Sequence, residues 1–499
     1  MTTLLQCPEQ AAGWLHDQVT GALRTDSRQV QPGDGFIAWP GAAHDARQHV
    51  VSAVAAGASC CLVEREGIEG FDLGGHNVAD YAGLKAATGP IAAAYFEHPS
   101  RTLQVVAVTG TNGKTTTAWW LAQALSRLGR RCGLVGTLGI GEPGAMVPNG
   151  LTTPDPVLLQ QHLRQFVQSG YVACVLEASS IGIEERRLDS VAIDVAVFTN
   201  FTQDHLDYHA NMDAYWGAKR ALFDWPGLKS AIINLDDAKG AELLVSLANR
   251  TLDIWSYSCL APARLQAKSI HHGPRGISFE VVEGFQARRI DTALVGHFNV
   301  SNLLGVLATL RTLGVPFDDA VQVCTDLLAV PGRMEVITGQ DEPLVVVDYA
   351  HTPDALDKAL AALKPIALGR GGQLWCIFGC GGDRDASKRP LMAGVAQQHA
   401  DRIVVTSDNP RGEDPQAIIE QVCEGLQHLS GVQVDADRAH AIASALRAAG
   451  SQDVVLLAGK GHEPYQEIQG ARVPYSDHAQ TALAMAARRT GRTAQEPRP

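Results

Sequence analysis

The chain has 499 residues, of which 45% are hydrophobic and 19% charged, with a formal net charge of -12. That length exceeds what one hydrophobic core serves and predicts two to four domains, and the composition is that of a folded globular protein rather than a disordered one. The acidic balance excludes the broad positive field that nucleic acid or an anionic membrane requires, while small anions held by loops and helix N-termini remain compatible with it.

The opening MTTLLQCPEQ has no basic start and no long apolar stretch, so no secretory signal is expected. No run of about 18 apolar residues predicts a membrane span. The ten cysteines are scattered, and neither Cys60-Cys61 nor Cys376/Cys380 has the spacing of a zinc or redox pair. Cys376, inside LWCIFG, reads as a buried thiol. A reducing cytoplasm is the expected location.

Up to about Ser100, short apolar strands (GFIAWP, SCCLVE) alternate with glycine-rich turns, and no phosphate loop occurs. From Leu103 the pattern becomes strand, glycine loop, helix. QVVAVT predicts a buried strand and Thr115 to Leu128 the helix behind it. YVACVLEAS, IDVAVFTN and SAIINLDD predict further strands, each with polar residues at its carboxyl end, where ligands sit in open parallel sheets. Pro331 to Ile337, within AVPGRMEVI, reads as a hinge. PLVVVDYAH, QLWCIFGCGG, DRIVVTSDNP and DVVLLAGKGHE then predict a third α/β unit, with helical patterns between the strands. The fold class is therefore α/β in three domains: a smaller N-terminal one, a central phosphate-loop sheet and a C-terminal Rossmann-like sheet. The tail GRTAQEPRP is expected to fray.

VTGTNGKTT, from Val108 to Thr116, sits between a buried strand and a helix, the setting a phosphate loop requires. Gly110 and Gly113 let backbone N–H groups approach phosphate oxygens. Lys114 would neutralise the terminal phosphates, and Thr115 could ligate Mg2+. The common nucleotide-loop pattern wants glycine at the position of Val108, so the loop is a shortened one. A solvated lysine on a glycine turn is the bland alternative.

The loop TGTNGKTT resembles that of the Mur ligases and their folylpolyglutamate synthetase relatives. LTTPDP, VLEASS, FTNFTQDHLDYH, GHFNVSN, PGRME, VDYAHTPDAL, FGCGGDRD, SDNPRGEDP and AGKGHE continue the resemblance in family order. It implies a UDP-sugar-binding domain at 1–100, an ATP-binding domain at 101–332 and an amino-acid-binding Rossmann-like domain at 333–499. It also implies an ATP-dependent, amide-forming ligase. The D-glutamyl carboxylate of UDP-N-acetylmuramoyl-L-alanyl-D-glutamate would become an acyl phosphate, which the amine of meso-diaminopimelate then attacks. ATP and Mg2+ are the implied cofactors, and a monomer without nucleic-acid partner or membrane span is expected. A lysine-adding or folylpolyglutamate synthetase-like ligase is the alternative acceptor reading. A phosphate-loop ATPase or kinase making no amide is the alternative class.

Residue by residue, the resemblance implies ATP contacts at Gly110, Thr111, Asn112, Gly113, Lys114, Thr115, Thr116, Asn299, Arg333 and Asp348. Asn302, His297 and His351 lie in the same blocks. Thr115, Glu177, His205 and Lys219 are implied to hold metal, Lys219 as a carbamate. Lys114, Lys219 and His205 are the implied catalytic set, with Asp204 and His209 beside it. Read alone, Glu177 is a cap or solvated acid, His205 a surface residue and Lys219 a solvated helix lysine. Ser27, Thr152, Thr153, Ser179, Glu185 and Arg187 are implied for the UDP-sugar-peptide. Ile181 stands where the family often has histidine, and Glu185 where it often has glutamine. Arg384, Asp408, Asn409, Pro410, Arg411, Gly459 and Glu463 are implied for diaminopimelate. An arginine fork suits its distal carboxylate. A surface pair of Arg411 with Glu413 or Asp414 is the bland alternative.

Overall fold

The computed structural model describes residues 2–41, 44–273, 276–337 and 342–493. Residues 494–499, most of the tail expected to fray, lie outside these, while the last helix, Asp477–Thr493, runs through the tail's first three positions.

The N-terminal sheet has five parallel strands in the order Thr3–Leu5, Val78–Tyr81, Cys60–Glu64, Gly35–Ala38, Leu23–Arg24. Its middle strands are buried along their whole length, as the continuous apolar runs require of a sheet covered on both faces.

The central sheet has eleven strands. Its core is parallel: Asp253–Ser258, Ser230–Asn234, Val195–Phe198, Gln104–Thr109, Ala173–Glu177 and Cys132–Gly136, in that order. One edge is extended by an antiparallel meander, Leu265–Gly273, Gly276–Glu283 and Gln286–Thr292. The other edge carries the short antiparallel strands Gly139–Glu142 and Ala145–Val147. Gln104–Thr109 lies innermost, where the chain order reverses, so its carboxyl end opens onto a crevice. The helix behind it, Lys114–Arg127, is buried from Thr115 to Leu125 apart from Gln123, and Trp120 donates its indole N–H to Leu328 O at 2.8 Å. Each large apolar side chain so enclosed stabilises the fold by roughly 1.5–3 kcal/mol.

The C-terminal sheet runs Glu335–Val336, Leu344–Asp348, Val454–Ala458, Leu374–Phe378, Arg402–Thr406, Val432–Asp435, antiparallel only at the first pair. The helix Pro353–Arg370 starts where Thr352 accepts the Ala355 N–H, with proline in its first turn, and stops at Gly371. Arg438 and Asp477, both fully buried, form a two-bond ion pair at 2.8 and 2.9 Å. Arg438 also donates to Ser407 O and Ala458 O, tying two strand ends together. Cys376 is fully buried, as expected.

Candidate active site

The carboxyl ends of the central and C-terminal sheets face one cleft of about 1530 Å³. The phosphate loop forms one wall. Gly113 has φ +83°, and a Cβ there would fall 2.5 Å from Asn302 Oδ1, so the position admits only glycine. Asn302 donates to Asn299 Oδ1 (3.1 Å), and Asn299 to Val295 O (2.7 Å), which fixes this buried asparagine pair behind the loop. Thr111 and Asn112 are held by Asn200, through its backbone O at 2.8 Å and its side-chain Oδ1 at 2.9 Å respectively. Thr116 is buried at the start of the helix.

Lys114 Nζ donates to Gly110 O and Thr111 O, each at 2.8 Å. Loss of hydration pushes its pKa down, and Arg333 adds to this, while Glu177 and Asp204 oppose it. Thr115 Oγ1 donates to Glu177 Oε2 (2.9 Å), and Thr137 donates to both carboxylate oxygens, at 2.8 and 3.1 Å. Thr137 is a site residue that sequence reasoning passed over, although it stands just past the strand Cys132–Gly136. Glu177 is 1% exposed.

Lys219, 1% exposed, donates to Gly110 O at 2.8 Å and lies 4.4 Å from the centre of the Tyr215 ring. Burial drives its pKa far below that of an ordinary lysine, helped by the nearby Lys114 charge. Tyr215 was also missed, though it precedes Lys219 by four residues and so shares its helix face. His205 has a left-handed backbone, φ +53°. Desolvation and the Lys114 and Lys219 charges pull its imidazole down to about 4, against Asp204 3.5 Å away. His209 is buried, bonded to Ser180 Oγ at 3.0 Å, 3.0 Å from Glu184 Oε2 and tilted against the Tyr215 ring, which is a structural role.

Thr152, Thr153, Ser179 and Arg187 line the same cleft. Thr153 Oγ1 meets Glu177 O (2.7 Å) and Ser179 Oγ (2.9 Å), and Arg187 donates to Thr153 O at 3.0 Å. Ser27 and Glu185 lie away from its walls. Ser27 opens a short helical turn, Ser27–Gln29, capped by Asp26. Glu185 pairs with Lys85 (2.7 Å) and accepts from Tyr208 (2.7 Å), which pins the N-terminal unit to the central one.

The opposite wall comes from the C-terminal sheet. Asp348 accepts the Met334 N–H at 2.7 Å; burial raises its pKa, while Arg333 and backbone donors resist. Arg333 lies over the Tyr349 ring at 4.3 Å. His351 lines the cleft and bonds Tyr349 O through Nδ1 at 2.8 Å. Arg384 and Arg411 flank Gly381: a Cβ there would lie 3.9 Å from Arg384 Cγ and 2.8 Å from Arg411 Nη1. Arg411 donates to Gly382 O (2.8 Å) and leans on Glu467 at 3.5 Å. Glu413 instead takes a two-bond pair with buried Arg389 at 2.8 and 2.9 Å, and Asp414 caps the helix Pro415–Cys423, so neither is the partner of Arg411. Asp408, Asn409, Gly459 and Glu463 line the cleft beside these arginines, and Pro410 precedes Arg411 in the loop. Asn112 Nδ2 donates to Asp354 Oδ2 at 2.9 Å, so the two walls already touch beside the phosphate loop.

Comparison with known proteins accords with this arrangement. Residues 108–310 match the Mur ligase middle domain, and residues 332–461 match the Mur ligase, glutamate ligase domain. A UDP-N-acetylmuramoyl-L-alanyl-D-glutamate--2,6-diaminopimelate ligase of Acidovorax sp. (strain JS42) is 59% identical over 493 residues, covering 97% of this chain and 98% of that protein. A solved structure of a ligase of the same name is 36% identical, with a TM-score of 0.64 over 94% of this chain and 95% of that chain. The MurF ligase of Thermotoga maritima in complex with ADP shares the fold at 18% identity, with a TM-score of 0.67 over 95% of this chain and 99% of that one.

Proposed function

The chain belongs to the Mur ligase family, and from that membership we propose that it joins meso-2,6-diaminopimelate to UDP-N-acetylmuramoyl-L-alanyl-D-glutamate at the expense of ATP. The observation that carries this is the single cleft, which has a phosphate loop on one wall and an arginine pair beside acids on the other. The reaction needs both. The D-glutamyl carboxylate attacks the γ-phosphorus of ATP, ADP leaves, and an acyl phosphate results. The substrate amine then attacks the acyl carbon, gives up a proton, and phosphate leaves. The protein gathers anions and orients them; little covalent chemistry is its own.

In this reading the segments 1–100, 101–332 and 333–499 bring the UDP-sugar, ATP and amino acid respectively. Lys114, held by two neutral carbonyls, can exchange them for the transferring phosphate. Asn299, Arg333 and Asp348 contact the nucleotide. Thr152, Thr153, Ser179 and Arg187 meet the sugar-peptide, with Ser27 and Glu185 acting at its margin.

The residues at the loop fit Mg2+. Thr115 and Glu177 place two hard oxygens side by side, 2.9 Å apart, at the start of the helix. Mg2+ there would offset the charge repulsion between the phosphates and the attacking carboxylate. His205, neutral by virtue of its low pKa, has the lone pair a ligand needs. Lys219 is set up for carbamylation. Burial disfavours its charged form, and the deprotonated amine nitrogen can bond the carbon of CO2 and release a proton, turning a buried amine into an anionic oxygen donor. The ten cysteines are all free thiols, which supports work in a reducing cytoplasm. We take the working form to be a monomer.

The test is ATP turnover by the purified protein with the UDP-linked dipeptide and a panel of amino acids. Diaminopimelate should yield an amide, ADP and inorganic phosphate in equal amounts. A phosphorylated product without amide, or equal use of lysine, would reject the proposal.

A further inference from the structure

Lys460 stands in AGKGHE just past the strand Val454–Ala458 and is 0% exposed. Its ammonium donates to Asn409 Oδ1 at 2.9 Å and to Glu463 Oε2 at 2.8 Å, and lies 3.7 Å from Asp408 Oδ1. Asn409 Oδ1 also accepts the Glu467 N–H at 3.0 Å, which sets the amide so that its Nδ2 donates to Glu463 Oε2 at 2.8 Å. One oxygen of Glu463 is thus doubly bonded from behind. The other, Oε1, has the Tyr349 hydroxyl at 3.5 Å, and the residue lines the cleft.

We propose that Lys460 is a positioning residue that makes Glu463 the acceptor for the distal ammonium of the amino-acid substrate. This rests on the reading of the cleft given above. A carboxylate with one oxygen held by two donors leaves the other, beside the Tyr349 hydroxyl, as an oriented site for a cation. Lys460 supplies charge as well as direction. Asp408 and Glu463 converge on it, and without a cation between them the two carboxylates repel each other and Glu463 loses its set orientation. The arginines beside these acids read the carboxylate, so Lys460 governs one half of a zwitterion and leaves the other half alone.

The experiment compares meso-diaminopimelate with 2-aminopimelate, which keeps the reacting head and the distal carboxylate but lacks the distal amine. Wild type should prefer diaminopimelate by roughly a hundredfold in kcat/KM, the scale of a desolvated charge pair. Lys460→Met should lose most of that preference through a raised KM for diaminopimelate, with KM for ATP within about twofold of wild type. Lys460→Arg should restore part of it. Should the Met variant not fold, Lys460→Gln, which keeps a donor and removes the charge, is read in its place. An unchanged preference in the variant overturns the inference. So does an equal loss for both substrates and ATP, which would mean a structural role only. If wild type fails to ligate diaminopimelate at all, it is the proposed function that falls.

Discussion

Arg411 shows how much a single side chain decides and how far its letter can be read. The residue stands just past a strand end beside Arg384, and its guanidinium is held by Gly382 O and loosely by Glu467. Two flanking arginines suit the distal carboxylate that diaminopimelate has and lysine lacks. Arg411→Ala should therefore lose most of the preference for diaminopimelate over lysine, which can reach roughly 10⁴-fold where a missing partner leaves buried charge unpaired. Competition between the two amino acids measures this, and unchanged selectivity would remove Arg411 from the site. Lys219 makes a different case. Its amine is buried against Gly110 O and, among the described residues, no ion pair is formed by it, so its positive charge is poorly compensated. Lys219→Ala should be inactive, and a short carboxylic acid added to the assay should recover part of the turnover; wild-type rates in the variant would end the carbamate idea. The phosphate loop could be picked out from its place between an apolar strand and a helix, whereas Glu177 and the arginines are singled out through the family resemblance. Lys460 could not be picked out, since its partners Asp408 and Asn409 stand in the loop after another strand, Arg402–Thr406.

The parallel strands were legible for the same reason that they are stable: each is an unbroken apolar run covered on both faces. The meander from Leu265 to Thr292 was not. It is exposed along much of its length, and polar residues fill that face. The segment Pro331 to Ile337, expected as a hinge, contains a tight turn, with Val330 bridged to Arg333 and Glu335–Val336 paired to Leu344–Asp348. Gly332 in it has φ +65°, and a Cβ there would fall 2.2 Å from His462 N and 2.5 Å from Gly461 C. The turn between the walls is thus packed on the loop that carries Lys460 and Glu463. Gly332→Ala must displace that loop and adopt a left-handed backbone costing about 1–2 kcal/mol. We expect kcat and KM for the amino acid to worsen together, with the melting temperature falling by a few degrees. A variant with normal kinetics would mean that the turn and the amino-acid loop move independently.

Across the whole molecule, buried imidazoles make the fold sensitive to acid, against which the raised carboxyls of Asp155, Asp189, Asp237 and Asp348 work in the opposite sense. Among the described residues, His162, His205, His209, His272, His351 and His462 have lowered pKa values, with desolvation as the first cause in each. His478 alone is raised, by its bond to Glu335. His462 reaches about 3, because it is enclosed in the cleft near Arg333, Lys460 and His478. Unfolding returns each imidazole toward about 6.5. Between the folded and unfolded values the unfolded chain holds more protons, so lowering the pH favours it. Six groups therefore contribute stability that is complete above about pH 6.5 and is lost as the pH falls toward their folded values. His478 works in the opposite sense, and its contribution fades as the pH rises through its folded value. Asp26, Asp34, Asp45 and Asp204 have lowered values too, so their contribution is lost only at lower pH, below the ordinary aspartate value near 3.8. Melting temperature should thus be nearly level from about pH 8 to 7, then fall steadily between about 6.5 and 4, before most carboxylates titrate. His462→Gln removes one of the six and should make that descent shallower without changing the plateau. Scanning calorimetry across this range decides it: a melting temperature flat down to pH 5, or a descent unaltered by His462→Gln, would show that protons entering these imidazoles do not control the acid limit of the fold.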